Sequence, residues 1–166
     1  WAERRGVRLG KALSIGNEAN VSITDCLRYF DQDPESKVIA MYIEGVKKGG
    51  REFYKALTKL ARKKPVVVNY VGGTIAGSRA GMSHTASLGG RPTVYETIFK
   101  QAGVVRASTM EEMFEFSHAF SMAYPPKGDK IGLITNSGGP AVTLADSCER
   151  NGLKVPAFSK GLQLKI

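Results

Sequence analysis

Short apolar runs alternate with amphipathic segments along most of the chain, a pattern that predicts strands separated by helices. The runs at residues 38–43 and 65–69 are nearly continuous in apolar side chains, which is typical of strands buried on both faces of a sheet. Further short strands are predicted at residues 11–15 and 104–105. Because strands alternate with helical segments, we expect an α/β fold with an open, doubly wound and mainly parallel sheet.

The helices are predicted from apolar residues at three- and four-residue spacing, over residues 22–30, 51–61 and 93–102 and from Ser108 onward. In the helix at residues 93–102, Val94, Ile98 and Phe99 are expected to lie on one side. Glu111 and Glu112 fit the first turn of the last of these helices. A carboxylate there favours either a capping box or the positive end of the helix dipole.

A segment rich in proline and glycine at residues 125–129 predicts a domain junction. We therefore expect one domain over residues 1–127 and the beginning of a second α/β domain over residues 128–166. In the second domain a strand, a glycine turn, a helix and a strand are predicted at residues 130–135, 136–140, 141–150 and 153–155. This is one βαβ unit, so the chain is expected to stop within a domain, as a fragment of a longer protein.

The composition is that of an ordinary soluble protein, with 42% hydrophobic and 23% charged residues among 166. The apolar runs are too short to cross a bilayer, so we expect a cytoplasmic protein with no membrane partner. Cys26 and Cys148 lie far apart, and we expect two reduced thiols. Histidines and cysteines with metal-ligand spacing are lacking, so no metal site is expected.

The net charge of +9 favours an anionic partner. The basic residues form small groups such as Lys47-Lys48, without interleaved aromatic residues and without a DNA or RNA motif. We therefore expect no nucleic-acid partner. A nucleic-acid-binding α/β protein stays as an alternative that predicts steeply salt-dependent binding. Nucleotides or coenzyme A fit the charge equally well.

A glycine-rich loop follows the second buried strand and leads to His84, which lies between Ser83 and Thr85. The loop opens with Gly72 and Gly73, and glycines let backbone N–H groups approach an anion closely. Histidine is suited to act as a nucleophile or proton carrier near neutral pH. The sequence thus predicts a histidine that meets phosphate, with the two glycines and two hydroxyl residues as phosphate-binding groups. An ordinary surface histidine is the alternative interpretation.

Glu44 follows the first buried strand directly. Because ligands bind at the carboxyl ends of parallel strands, Glu44 and the loop of His84 are expected to start from the same edge. A carboxylate that accepts the proton of one ring nitrogen fixes the tautomer and leaves the other nitrogen free to attack. His118 lies among Phe and Met residues on a predicted helix and is interpreted as structural.

A second glycine turn, with Asn136, Gly138 and Gly139, lies between a predicted strand and a predicted helix. Such a turn directs backbone N–H groups toward an anion, with Asn136 as a polar anchor. The spacing does not match the dinucleotide-binding fingerprint. A tight turn without a ligand remains an alternative interpretation here.

Several of these segments, taken together, resemble the nucleoside-diphosphate-forming acyl-CoA synthetases, at residues 38–45, 64–73, 82–85 and 131–146. That family includes the ADP-forming acetate–CoA ligases, relatives of succinyl-CoA synthetase. The resemblance covers nearly the whole chain in the same order and implies a flavodoxin-like, succinyl-CoA synthetase-like first domain. Its firmest marks are Gly16-Asn17, the strand end at residues 42–45, and Ser83-His84-Thr85.

The resemblance implies a reaction in which a carboxylic acid, ATP and CoA give acyl-CoA, ADP and phosphate, reversibly, through an acyl phosphate and a phosphohistidine. It makes His84 the phosphorylated residue and Glu44 its stabilising carboxylate. It also assigns Asn136, Gly138 and Gly139 to a turn on the substrate or phosphate side. The full enzyme would need a CoA-binding domain before this chain and an ATP-grasp domain or subunit, where Mg²⁺ is expected, and it is expected to be an oligomer.

Three positions depart from the family pattern. Tyr70 and Gly73 stand in a stretch where related ligases usually show Lys and Arg, and Ala86 stands where a glycine is often found. These changes bear on which acid is used and on whether the chain has full activity. The alternative function within the same family is a catalytically degenerate domain that serves in regulation or CoA sensing.

Overall fold

Three parallel strands form the sheet of a computed structural model in which residues 7–73, 92–122 and 126–165 are described. They are β1 (Ile39–Ile43), β2 (Val66–Tyr70) and β3 (Val105–Ala107), in the order β1-β2-β3. The apolar runs at residues 38–43 and 65–69 thus form strands as predicted, although both begin one residue later and the second also ends one residue later. The fold class predicted from the alternating pattern is confirmed.

The chain divides into two compact units, Trp1–Ala123 and Tyr124–Ile166. The helices of the first unit are α1 (Ile23–Gln32), α2 (Gly50–Ala61), α3 (Pro92–Ala102) and α4 (Met110–Met122). In the described part of the chain, none of the helices combines the length and the apolar character needed to span a bilayer.

Local sequence explains where two of these helices begin. Ser22 caps α1, and Ser22 and Asp25 bond each other's backbone N–H groups as a capping box. At α4, Thr109 accepts a hydrogen bond from the Glu112 N–H at 3.1 Å, while the Glu112 carboxylate accepts from the Ser108 N–H at 2.7 Å. The capping role predicted for this turn is therefore filled by Glu112.

Helices cover both faces of the sheet, because the side chains of β2 alternate between two apolar clusters. On the first face, strand residues such as Val68 pack with buried residues of α1, α2 and α3, among them Leu27, Leu57 and Phe99. On the second face, the core is formed by Val67, Ala107 and Met113. The two clusters make the sheet doubly wound, and at β2 all five positions are buried.

The second face is less covered at β1. Ile39, Met41 and Ile43 are buried, but Ala40 and Tyr42 between them are exposed. Tyr42 keeps 48% of its surface accessible. The strand is therefore buried on its first face only, and not on both faces as its apolar run predicted.

Two predictions within the first unit are wrong. Residues 11–15 have irregular backbone and form no strand, because only Ile15 among them packs against the core and the Lys11 side chain turns to carboxylates. In α3, Val94 is 49% exposed and the buried side is formed by Tyr95, Phe99 and Ala102, at spacings of four and three residues. Phe99 and the partly buried Ile98 do pack with the core as predicted, so only Val94 departs from the predicted side.

A network of charges anchors the end of α1. The buried Asp33 carboxylate accepts hydrogen bonds from Lys11 Nζ at 2.7 Å and from Ser36 Oγ at 2.5 Å. Lys64 Nζ donates to the Phe30 carbonyl at 2.6 Å and also to the Asp33 carbonyl. The bonds from Lys11 and Ser36 lower the pKa of Asp33 well below its usual range.

The second unit contains α5 (Gly138–Arg150) and the short α6 (Lys160–Gln163). The strands predicted at residues 130–135 and 153–155 are wrong in extent, since Lys130 and Lys154 form a single parallel bridge. Within residues 126–165 these two short segments pair only with each other, and such a pair buries too little to extend. The predicted turn at residues 136–140 is also shorter, because Gly138, Gly139 and Pro140 already belong to α5.

Candidate functional site

Strands β1 and β2 end side by side, and the segments after them stay in contact. The Val71 N–H, one residue beyond β2, donates to the Ile43 carbonyl at 3.0 Å. Gly72 has a φ of +82°, a conformation that favours glycine. A β-carbon placed on Gly72 would lie 3.7 Å from the Glu44 carbonyl oxygen. Glu44 and the start of the glycine loop are therefore neighbours, as the common sheet edge predicted.

Glu44, Gly72 and Gly73 are all half-buried at this edge. Ser83, His84 and Thr85 lie outside the described residues, as does Ala86. The described part of the site is thus limited to the ends of β1 and β2 and the start of the glycine loop. Its components are a carboxylate-bearing turn after β1 and two glycines after β2.

Tyr95 of α3 joins the turn after β1. Its hydroxyl oxygen accepts a hydrogen bond from the Val46 N–H at 2.7 Å. Its ring stacks on Tyr70, the last residue of β2, with ring centroids 4.5 Å apart. Burial raises the pKa of the Tyr70 hydroxyl, which is therefore neutral near physiological pH.

Arg106 lies on β3, which pairs with β2 on the side opposite β1, and it supplies a positive charge next to Tyr70. Its guanidinium donates to the carbonyls of Tyr70 at 3.0 Å and Ala107 at 2.7 Å, and its Nε pairs with Glu96 at 3.0 Å. The same group lies over the Tyr70 ring, 5.7 Å from its centroid. These contacts tie β2, β3 and α3 together where the strands end.

Lys47 brings the N-terminal segment to the same edge. Its Nζ donates to the Asn17 side-chain oxygen at 3.0 Å and to the Asn17 carbonyl at 3.3 Å. Asn17 and Glu44 both line a groove of about 1370 Å³, which runs along β1 toward α4. The turn that carries Glu44 is therefore open to solvent on the side of this groove.

The glycine turn of the second unit is exposed. Asn136 precedes Ser137, the N-cap of α5, whose side chain makes no capping bond. The Ser137 N–H instead donates to the Thr135 hydroxyl at 3.1 Å. Gly138 and Gly139 have open space where a β-carbon would lie, so an anion could approach their backbone.

The sequence interpretation missed Tyr95, Arg106 and Lys47 as parts of the site. Tyr95 could have been found from its spacing to Phe99 and Ala102, which repeats at a helical period. Arg106 could have been found as a charged residue that follows two valines in a short predicted strand. Lys47 has no local signal, since a lysine in a loop is ordinarily solvated.

Residues 1–120 match the family described as the succinyl-CoA ligase like flavodoxin domain. Among solved structures, the chain is similar to the dinucleotide forming acetyl-coenzyme A synthetase 1 of Ca. Korarchaeum cryptofilum, determined in complex with phosphate and ADP. The TM-score is 0.83 at 36% identity, over 92% of this chain and 33% of that one.

Among curated proteins, the chain is 41% identical to an ADP-forming acetate–CoA ligase of Methanocaldococcus jannaschii, over 96% of its own length and 22% of the relative. It is also 41% identical to the alpha subunit of ADP-forming acetate–CoA ligase II of Pyrococcus furiosus, over 92% of its length and 33% of that subunit. The chain therefore spans between about a fifth and a third of the length of these relatives.

Proposed function

The chain belongs to the family of succinyl-CoA ligase-like flavodoxin domains, and from this membership we propose that it is the phosphohistidine-carrying part of an ADP-forming acyl-CoA synthetase. The whole enzyme would interconvert a carboxylic acid, CoA and ATP with acyl-CoA, ADP and phosphate. One observation carries the proposal. Gly72, which opens the loop that leads to His84, packs against the backbone of Glu44.

His84 is the proposed phosphoryl carrier. In the direction of ATP synthesis, phosphate attacks the acyl-CoA carbonyl, the thiolate of CoA leaves, and an acyl phosphate forms. A ring nitrogen of His84 then attacks the phosphorus, and the carboxylate leaves as the free acid. ADP takes the phosphoryl group from the histidine and becomes ATP. Every step is reversible, so the same carrier serves both directions.

Glu44 is proposed to accept a hydrogen bond from the second ring nitrogen of His84. That bond selects the tautomer whose free nitrogen attacks, and the carboxylate stabilises the positive charge on the phosphorylated ring. Gly72 and Gly73 are proposed to bring backbone N–H groups to the phosphoryl oxygens, and Ser83 and Thr85 to add hydroxyl donors. The half-buried position of Glu44 supports this role, since partial burial strengthens charge interactions.

The second unit is proposed to contribute Asn136, Gly138 and Gly139 on the substrate or phosphate side. Gly138 and Gly139 form the first turn of α5, where unpaired N–H groups and the helix dipole favour an anion. We further propose the domain limits 1–127 and 128–166, so that this turn belongs to a separate α/β domain.

Other modules are proposed to complete the reaction. They are a CoA-binding domain and an ATP-grasp domain or subunit that holds ATP and Mg²⁺, assembled into an oligomer. The length of the relatives supports this arrangement, and one relative is named a subunit. Acetate is the first acid to test, because both curated relatives are named acetate–CoA ligases.

The test is phosphoryl transfer from γ-labelled ATP to the complete protein with its ATP-grasp module present. We expect an acid-labile label that His84→Ala abolishes while circular dichroism stays unchanged. His118→Ala is the matched control, because His118 is the other histidine of the chain and is half-buried on α4. It should keep the label.

Label that persists in His84→Ala would remove His84 from the proposed role, and label that disappears only in His118→Ala would assign the role to His118. A folded wild-type chain that takes no label beside an active ATP-grasp module would favour the degenerate regulatory domain instead.

A further inference from the structure

The turn that carries Glu44 is held from both sides. Before Glu44, the Ile43 carbonyl accepts the Val71 N–H at 3.0 Å, which is a contact between the two strand ends. After Glu44, the Val46 N–H donates to the Tyr95 hydroxyl at 2.7 Å. The first anchor is backbone alone, whereas the second depends on one side-chain atom that comes from a helix 49 residues away.

The Tyr95 hydroxyl lies directly against the backbone of this turn. A β-carbon placed on Gly45 would be 3.5 Å from the same oxygen, so the hydroxyl lies close to the backbone of both residues that follow Glu44. Tyr95 is 7% exposed, and a buried N–H that loses its acceptor is costly. The Val46 N–H itself is half-buried, so the loss of this acceptor leaves the N–H only partly open to water.

Ring packing fixes where the hydroxyl stands. Tyr95 stacks on Tyr70 with an angle of 24° between the rings and lies 5.9 Å from the ring of Phe99. Tyr70 is in turn covered by Arg106, whose guanidinium lies 5.7 Å from the ring centroid. The hydroxyl cannot move away from Val46 without breaking this packing.

We infer that Tyr95 is a positioning residue for Glu44, which acts by holding the backbone of the turn through the Val46 N–H. The inference rests on the proposed function, in which Glu44 orients the phosphorylated histidine. A hydrogen bond that fixes the turn limits the directions in which the Glu44 side chain leaves the backbone. Loss of that bond should slow phosphoryl transfer while the sheet and its core remain intact.

The test variant is Tyr95→Phe, which keeps the stacked ring and removes only the hydroxyl. We expect the rate of phosphoryl transfer in the complete protein to fall roughly threefold to tenfold, the equivalent of one hydrogen bond. Tyr54→Phe is the matched control, because Tyr54 is a half-buried tyrosine of α2 that packs against the first-face cluster. Its transfer rate should stay that of the wild type.

Two further readouts separate positioning from general stability. Amide hydrogen exchange at Val46 should be faster in Tyr95→Phe than in Tyr54→Phe. A double variant tests whether Tyr95 acts through Glu44. If it does, adding Tyr95→Phe to Glu44→Gln should slow phosphoryl transfer little beyond Glu44→Gln alone.

Three results would overturn the inference. A labelled wild type whose rate is unchanged in Tyr95→Phe would show that the hydroxyl does not position the site. Independent, multiplicative slowing in the double variant would show that Tyr95 does not act through Glu44. A wild type that takes no label would refute the proposed function, and the role of Tyr95 with it.

Discussion

Two strand–turn–helix segments of this chain have the same local sequence pattern and different surroundings. In the first unit, β1 pairs with β2 over its full length, and Phe53, Leu57 and Leu60 of α2 are at most 1% exposed. In the second unit, Lys130 forms a single bridge with Lys154, and α5 has no buried residue. The difference teaches that a helix can form with its side chains exposed, whereas an extended strand needs partner strands.

The physical reason is the range of the interactions. A helix satisfies most of its backbone groups within itself, so its hydrogen bonds need no partner segment. A strand satisfies its groups only through another strand, and a lone pair of short strands is marginal. The second unit therefore keeps the predicted helix and loses most of the predicted strand pairing.

The largest expected difference between the two segments is in the free energy of unfolding when a helix leucine is truncated. Leu57→Ala removes a side chain that is 0% exposed and leaves a cavity, so we expect a loss of about 2–5 kcal/mol. Leu144→Ala on α5 truncates a side chain that is 50% exposed and should change stability by less than about 0.5 kcal/mol.

Urea unfolding followed by far-ultraviolet circular dichroism measures both variants. Equal losses for Leu57→Ala and Leu144→Ala would mean that α5 is as well buried as α2, and the contrast between the two segments would fail.

The same contrast explains how much of the fold could be predicted from sequence. The runs of β1 and β2 were predicted because each places several apolar residues together and each has a partner strand in the structure. Residues 11–15 hold three apolar residues broken by Lys11 and Ser14, and only Ile15 among them packs against the core. A sequence pattern does not reveal whether a neighbouring strand edge is available. Propensity is local and strand pairing is not.

The candidate site divides in the same way. The meeting of Glu44 with Gly72 could be predicted, because the ends of neighbouring parallel strands share one edge whatever the loops do. The bond from Val46 to Tyr95 could not, since it depends on how the rings of Tyr70, Tyr95 and Phe99 stack within the core. Packing of side chains decides such contacts, and no spacing in the sequence encodes it.

A smaller difference is expected at the N-caps of α1 and α5, both of which are serines. Ser22 accepts the Asp25 N–H and forms a capping box, so Ser22→Ala should cost about 1 kcal/mol of unfolding free energy. Ser137 makes no capping bond through its side chain, so Ser137→Ala should be nearly neutral. Urea titrations of the two alanine variants test this, and a comparable cost at both positions would show that α5 is capped after all.

The smallest difference appears only in acid, between a buried and an exposed ion pair. Hydrogen bonds from Lys11 and Ser36 hold the pKa of Asp33 below the value of about 3.9 that an unfolded chain gives it. Stability from a lowered carboxyl pKa is complete above that unfolded value and is lost as the pH falls through the folded one. Wild-type stability should therefore fall below about pH 4, and Asp33→Asn should weaken that pH dependence.

The matched variant is Asp129→Asn, since Asp129 pairs with Lys154 at 2.6 Å but is 46% exposed, where solvent screens the pair. It should follow the wild-type curve when urea midpoints are measured from about pH 7 to about pH 3. If Asp33→Asn lost as much stability in acid as the wild type, the folded-state contacts of the Asp33 carboxylate would not be the cause of the pH dependence. The buried network around Asp33 would then contribute as little to stability in acid as the exposed pair of Asp129 and Lys154. Burial would make no difference to the strength of these two ion pairs.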